Sequence, residues 1–333
     1  MGARVAVFGA TGAVGMEMLK ILEERNFPIA ELRLLASRGG RSAVWRGEEL
    51  PIIPVGPDSF KDIDIALFSV EGDVSRVWAP QAVESGAVVI DNSSAFRMDD
   101  SVPLVIPEVN PEDIARHKGI IANPNCSTII ALVALWPLHK KARIRRLVAS
   151  TYQAVSGAGK AGLDELIDQT RAWAQDSSLR IETFQHQIAF NLIPHIDAFS
   201  EDGYTKEELK LRNESRKIMH EPDLMVSCTC VRVPVLRSHS ESLNIELEHP
   251  LSPEEARELL RAAPGVKVVD DPAHNVYPMP LDTSGQDLIW VGRIRRDAST
   301  KNALALWVCG DQIRKGAATN AVQIASALWE RKN

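Results

Sequence analysis

Two rhythms of apolar and polar positions divide the chain. Up to about residue 143, short and almost wholly apolar runs alternate with amphipathic ones. Residues 4–8 (RVAVF), 32–36 (LRLLA), 63–69 (IDIALFS) and 87–91 (AVVID) predict buried strands. Between the first two, MEMLKILEERN places Met18, Leu19 and Leu22 at helical spacing and stops near Asn26, before Pro28. Residues 73–85 predict a second helix, and 119–122 lead into a cysteine. Strand–helix alternation of this kind predicts an α/β fold with a doubly wound parallel sheet.

Beyond residue 143 the strands lengthen and partly alternate. RLVASTYQAV, DLMVSCTCVRVPV, ESLNIELEH and DLIWVGRIRRD predict strands with one face solvated or covered by helices. Residues 160–175 and 252–262 predict helices. The second has Ser252, Pro253 and Glu255 in the pattern of a capping box. A last helix is predicted after Asp311. No linker-like run interrupts the chain, so two closely associated domains are expected, with the C-terminal helix returning to the first.

Composition narrows the classes of function. With 333 residues and 45% hydrophobic positions the chain has enough material for a large core. A net charge of −6 gives no general attraction to nucleic acid or anionic membrane. The basic cluster Arg143-Ile144-Arg145-Arg146 reads as a solvated helix end or turn. The opening MGARVAVFGATG enters a strand by Arg4 and lacks the build of a signal peptide, so a soluble, cytoplasmic protein without a membrane partner is expected. Four scattered cysteines do not suggest a disulfide framework, and no zinc pattern or other metal site is legible.

Candidate chemistry begins with Gly9-Ala10-Thr11-Gly12-Ala13-Val14-Gly15. Glycines between a strand and a helix let backbone approach a pyrophosphate, and the helix N-terminus offers its N–H groups. The spacing departs from G-x-G-x-x-G. At the end of the second predicted strand stand Ser37 and Arg38, with Arg41 following, where an acidic residue would select NAD. A hydroxyl and guanidinium suit a 2′-phosphate, hence NADP; the alternative is a solvated loop with two arginines. Two other motifs fail. AVSGAGKA resembles a phosphate-binding loop but carries Ala154 and Ala161 at its key positions. The three tyrosines lack the lysine four residues on that short-chain reductases use.

The segment NPNCSTII raises the second candidate. Pro124 closes one element, Asn125 or Ser127 is placed to cap, and STIIALVALW predicts a buried helix. Cys126 then lies in or beside a first helical turn, where N–H groups and dipole stabilise a thiolate and a neighbouring oxyanion. A structural cysteine is the other reading. Thiol plus nicotinamide would equip a protein for aldehyde–acyl interconversion. Cys228 and Cys230 share one face of a predicted strand and, like Cys309, read as core.

On GATGAVG, DNSSAFR (91–97), VIPEVN (105–110), NPNCST (123–128), STYQAVSGAGKAG (150–162), EELKLRNESRKIM (207–219), CVRVPVLRSHSES (230–242) and RKGAATNAVQIA (314–325), the chain resembles the aspartate-β-semialdehyde dehydrogenase family nearly end to end. The resemblance implies a Rossmann-type dinucleotide-binding domain, residues 1–126 with 312–333. It implies an α+β catalytic and dimerisation domain of the glyceraldehyde-3-phosphate dehydrogenase type, residues 127–311. The implied reaction is NADPH-dependent reductive dephosphorylation of aspartyl-β-phosphate by a homodimer or homotetramer. Carried over by matching motif, Cys126 is the nucleophile, Gln153 orients the acyl group and His239 is the acid/base. Arg232 meets the substrate carboxylate and Glu207 its amino group. Arg97, Asn125 and Lys210 form the phosphate site, while Ser156, Gly157 and Gln312 lie near the nicotinamide.

Without that resemblance several of these residues are ambiguous. Glu207 and Lys210 read as an ordinary i,i+3 helix pair. Arg97 is as consistent with surface as with ligand, and nothing in the residues separates His239 from His186 or His195. The rival readings are another acylating dehydrogenase, acting on a glyceraldehyde-3-phosphate or N-acetylglutamyl-phosphate type of substrate, and a non-catalytic NADP-binding regulatory protein.

Overall fold

The opening apolar run becomes β1 (Ala3–Phe8), the middle strand of a sheet whose two faces are both covered. Val5 and Val7 enter one core; Ala6 and Phe8 enter another with Phe60 and Phe68. A strand buried on both faces has no polar alternation, which is why its sequence is continuous. The computed structural model describes residues 2–332 and divides into two compact units, Met1–Asn125 with Gly316–Asn333, and Cys126–Lys315. Cys126 and residues 312–315 thus lie with the second unit, where the sequence-based division put them in the first.

In the first unit β1 is followed by α1 (Ala13–Glu24) and β2 (Ile29–Ala36), with Asn26 in the left-handed region after the helix. Next come β3 (Arg41–Trp45), β4 (Glu48–Pro54), β5 (Ile65–Phe68), α2 (Gly72–Glu84), β6 (Val88–Asp91) and β7 (Ile120–Ala122). The sheet order is β3-β4-β2-β1-β5-β6-β7. All neighbours are parallel except β3 and β4. This hairpin was not foreseen. Its two-residue turn puts Arg46 (φ 49°) and Gly47 (φ 83°) in the left-handed region, as a type I′ turn requires. Arg41, read as part of a nucleotide-binding loop, is the first residue of β3.

The second unit contains α3 (Cys126–Ala142), β8 (Ile144–Gln153), α4 (Gly159–Ala174), α5 (Lys206–Ile218), β9 (Met225–Arg232) and β10 (His239–Leu247). It continues with α6 (Pro253–Arg261), β11 (Val266–Val268), α7 (Pro280–Thr283), β12 (Ile289–Arg296) and β13 (Ala303–Gly310). The mixed sheet runs β11-β12-β13-β10-β8-β9, with α3 packed on β10 and α5 on β9. Ser252 and Glu255 form the expected capping box. Thr205 and Glu208 form a second at the start of α5, and the other Glu208 oxygen accepts the Cys230 N–H at 3.0 Å. That bond ties the helix to the strand beneath it. The last helix, α8 (Thr319–Lys332), begins later than expected and follows a π-helical turn at Arg314–Ala318. It packs on α1 in the first unit. Among the described residues no helix is long and apolar enough to cross a membrane.

Candidate active site

At the carboxyl end of β1, between neighbours β2 and β5 that the chain reaches in opposite directions, sits the glycine turn. This is where open α/β sheets bind ligands. Gly9 has φ 92°, and a Cβ there would lie 2.1 Å from the Ser69 carbonyl oxygen. A Cβ on Gly15 would lie 2.2 Å from the Gly9 carbonyl oxygen. Both glycines are therefore required by close backbone approach. Ala13 and Val14 open α1, so its unpaired N–H groups face the turn. Gly9, Thr11, Gly12, Ser37, Arg38 and Arg41 line one cavity of about 590 Å³, whose other wall includes Ser69, Val70, Glu71 and Val74. The cradle, the helix end and two guanidinium groups fit a dinucleotide phosphate. The second wall was not read from sequence, although strand ends in such sheets are the places to look.

The segment before the cysteine is pinned from several sides. Asn123 donates to Asn92 at 2.7 Å and to the Ala317 carbonyl at 3.2 Å, and accepts from Asn320 at 2.7 Å. Arg97 is buried and donates to the Asn123 and Asn92 carbonyls, each at 2.9 Å. Asn125 is buried as well. Cys126 is the first residue of α3 and is partly exposed, whereas nearly the whole helix behind it is buried. His139, Lys140 and Lys141 close the helix at its negative end.

Three strand ends meet the start of α3. Gln153 is the last residue of β8 and Arg232, its register partner, the last of β9; His239 is the first of β10. The Gln153 amide nitrogen donates to Ser127 at 2.9 Å, to Glu207 at 3.2 Å and to Thr151 at 3.3 Å. A carboxylate accepts and cannot donate, so Glu207 fixes which way that amide points. Arg232 donates to the Ala154 carbonyl at 2.7 Å, and the Phe184 ring lies 5.9 Å from its guanidinium carbon. Burial lowers the Arg232 pKa, while Glu207 and then Cys126 work against that shift. Cys126 and Arg232 are thus within electrostatic reach of each other.

Lys210 bridges two carboxylates, Glu207 and Asp197, each at 2.9 Å. Burial alone would depress its pKa, but Glu207 and Asp197 outweigh burial and hold it above its ordinary value. The i,i+3 pair foreseen on this helix exists, and Asp197 from a distant loop completes it. His239 is wholly buried, and its Nδ1 accepts the Ala154 N–H at 3.1 Å. Burial, then Arg232, pushes its pKa down to about 3. The ring is accordingly neutral, with its proton on Nε2, and that nitrogen has no hydrogen-bond partner among the described residues. Gly157 lies against both groups: a Cβ there would be 2.7 Å from an Arg232 nitrogen and 3.4 Å from His239 Nε2. Ser156 accepts from Gln312, whose carbonyl accepts the Ser238 N–H at 2.9 Å.

One arrangement in the second unit therefore brings together Cys126, Gln153, Ser156, Gly157, Glu207, Lys210, Arg232, His239 and Gln312. Arg97 and Asn125 belong to the first unit. Thr151, Phe184 and Asp197 take part without having been foreseen, and Ser127, read from sequence only as a cap, accepts from the Gln153 amide. Cys228 and Cys230 lie with sulfur atoms 3.6 Å apart in the core, and Cys309 is buried beside Ser240.

Residues 4–117 match the family described as semialdehyde dehydrogenase, NAD binding domain, and residues 135–315 that described as semialdehyde dehydrogenase, dimerisation domain. The aspartate-semialdehyde dehydrogenase of Aquifex aeolicus is 57% identical over 334 residues, covering 98% of each chain. The structure of aspartate semialdehyde dehydrogenase II from Vibrio cholerae complexed with ASA superimposes with a TM-score of 0.97 at 47% identity, covering 99% of each chain. That of the Candida albicans enzyme with NADP gives 0.75 at 25% identity, covering 98% of each. The chain belongs to the aspartate-semialdehyde dehydrogenase family.

Proposed function

We propose that this chain is an NADPH-dependent aspartate-semialdehyde dehydrogenase, converting L-aspartyl-4-phosphate to L-aspartate-4-semialdehyde and phosphate through a thioester on Cys126. The observation that carries the reading is the meeting of Gln153, Glu207, Arg232 and His239 at the start of α3, where Cys126 stands.

Arg232 offers a planar fork to the substrate α-carboxylate, and its backbone bond to Ala154 holds it in place. Glu207 receives the substrate ammonium group. Gln153 holds the acyl group, and Arg97, Asn125 and Lys210 take the phosphoryl oxygens. The Cys126 sulfur attacks the acyl carbon; the carbon–oxygen bond to phosphate breaks, and phosphate leaves. NADPH, when bound, supplies the hydride that reduces the acyl carbon. Backbone N–H groups of the first turn of α3 and the His239 Nε2–H donate hydrogen bonds to the oxygen that becomes negative; His239, expected as an acid/base, serves as a donor because burial and Arg232 keep its ring neutral. Collapse of the thiohemiacetal breaks the carbon–sulfur bond, reforms the carbonyl and returns the thiolate; the departing phosphate takes up one proton from solvent, so the reduction consumes one proton overall. Gly9, Thr11, Gly12, Ala13 and Val14 would cradle the pyrophosphate, Ser37 and Arg38 the 2′-phosphate, and Ser156, Gly157 and Gln312 the nicotinamide end. NADP in the Candida albicans structure supports that choice of cofactor.

A homodimer is proposed, formed through the second unit, on the strength of the dimerisation-domain match. The face of its sheet opposite the site carries half-buried Tyr152 and Trp307, with rings 5.4 Å apart, which suits contact with a second copy. A cytoplasmic location is proposed with it, since four scattered cysteines suit a reducing compartment. The direct assay is phosphate-dependent reduction of NADP by aspartate semialdehyde. Phosphate dependence supports the reading; equal or faster turnover of glyceraldehyde-3-phosphate or N-acetylglutamate semialdehyde overturns it.

A further inference from the structure

Glu241, on β10, is wholly buried, and neither of its carboxyl oxygens has a hydrogen-bond partner among the described residues. An ionised carboxylate held that way would cost several kcal/mol, so the group sits in the fold as the neutral acid. Burial, and then the Cys230 thiol, push its pKa well above the ordinary 4.5.

Its position is informative. Glu241 pairs in register with Thr151 on β8, and Thr151 with Cys230 on β9. Residues in register share a face. That face, two residues further along each strand, carries Gln153, Arg232 and His239. The row Glu241–Thr151–Cys230 therefore lies directly behind the row that would handle the substrate. Thr151 accepts the Gln153 amide N–H at 3.3 Å. A hydroxyl that accepts with one lone pair still has its own proton to place. Cys230 on β9 acts electrostatically on Glu241, and Cys228 on β9 and Cys309 on β13 lie within electrostatic reach of it.

We propose that Glu241 is a positioning residue: a neutral carboxylic acid that, through one buried water, anchors the Thr151 hydroxyl and so fixes the Gln153 amide. A buried water needs two or more polar partners, and Glu241 and Thr151 supply them. The kinetic part of this inference rests on the function proposed above; the protonation of Glu241 does not.

The experiment compares Glu241→Gln, Glu241→Leu, Thr151→Val and the Leu/Val double variant with the wild-type enzyme. Infrared difference spectra of wild type against Glu241→Gln should show the carbonyl stretch of a protonated carboxylic acid. The folded wild type keeps a proton that the unfolded chain loses above about 4.5. Wild-type stability therefore falls as pH rises, and the ratio of its unfolding constant to that of Glu241→Gln should change up to tenfold per pH unit. With aspartyl phosphate, Glu241→Gln should keep the wild-type kcat. Glu241→Leu and Thr151→Val should each lose on the order of tenfold in kcat with little change in KM, and the double variant should lose no more than the worse single one. Parallel pH–stability curves without a protonated carboxyl band overturn the neutral acid. Losses that multiply in the double variant, or an unaffected kcat in Thr151→Val, overturn the positioning role. If Glu241→Leu does not fold, Glu241→Gln and Thr151→Val still decide. A wild type inactive on aspartyl phosphate would refute the proposed function and leave the spectroscopic and stability arms standing.

Discussion

His239 is held by Ala154: its Nδ1 accepts that residue's backbone N–H at 3.1 Å. The bond decides what the ring can do. With Nδ1 occupied as an acceptor, the neutral imidazole must carry its hydrogen on Nε2, so it meets an oxyanion as a donor. The pH profile of kcat/KM should show no limb near 6.5 attributable to this residue. His239→Gln should lower kcat on the order of 10²-fold and leave the profile unchanged in shape. A limb near neutrality that disappears in the variant would show that the ring ionises during turnover.

The same histidine makes a prediction for stability. Its folded pKa lies near 3 against an ordinary 6.5, through burial and then Arg232. The unfolded chain therefore binds a proton below 6.5 that the folded chain refuses until about 3. Its contribution to stability is constant above that window and falls as pH drops through it, by at most about 1.4 kcal/mol per pH unit. His239→Gln should thus gain on the wild type as pH is lowered from 6.5, measured by urea unfolding at several pH values. Curves that stay parallel between pH 7 and 5 would contradict the neutral, buried ring.

Arg232 is buried against Ala154 and Phe184. Lysine keeps the charge but loses the fork and the planar group beside the ring. Arg232→Lys should reduce kcat/KM for aspartyl phosphate on the order of 10²-fold, mostly through KM, while NADPH binding measured by fluorescence titration is unchanged. Near-normal KM would remove Arg232 from carboxylate recognition.

Arg38 lines the cavity beside the glycine turn with Ser37 and Arg41. If it meets the 2′-phosphate, Arg38→Ala should weaken NADPH about tenfold or more, as for loss of one charge-assisted hydrogen bond, and leave NADH little changed. Equal weakening of both cofactors would place Arg38 elsewhere on the dinucleotide.

Much of this architecture was legible because it is local. The strand–turn–helix at Gly9 and the cysteine-led helix show in residues a few positions apart. The β3–β4 hairpin did not, because its turn is Arg46-Gly47 rather than a strong turn pair, and the nucleotide-loop reading absorbed Arg41. β13 (ALALWVCG) was overlooked, since a wholly apolar run gives no alternation to read. Site residues were ambiguous for a different reason. What separates His239 from its rivals is non-local: it is buried on Ala154, whereas His186 is exposed and His195 stacks on Phe199 at 4.4 Å. Lys210 became more than a helix pair only through Asp197, thirteen residues away in sequence. Glu241 is a polar residue in a strand by its letters, and an anomaly only once its surroundings are known.

The thioester is the account's central claim, and it can be caught directly. Enzyme mixed with L-aspartyl-4-phosphate in the absence of NADPH, quenched in acid and examined by peptide mass spectrometry, should carry an aspartyl group on the peptide containing Cys126. The adduct should be removed by hydroxylamine and be absent from Cys126→Ala, a variant that still folds and binds NADPH. Acylation at another residue, or turnover by Cys126→Ala near the wild-type rate, would contradict it.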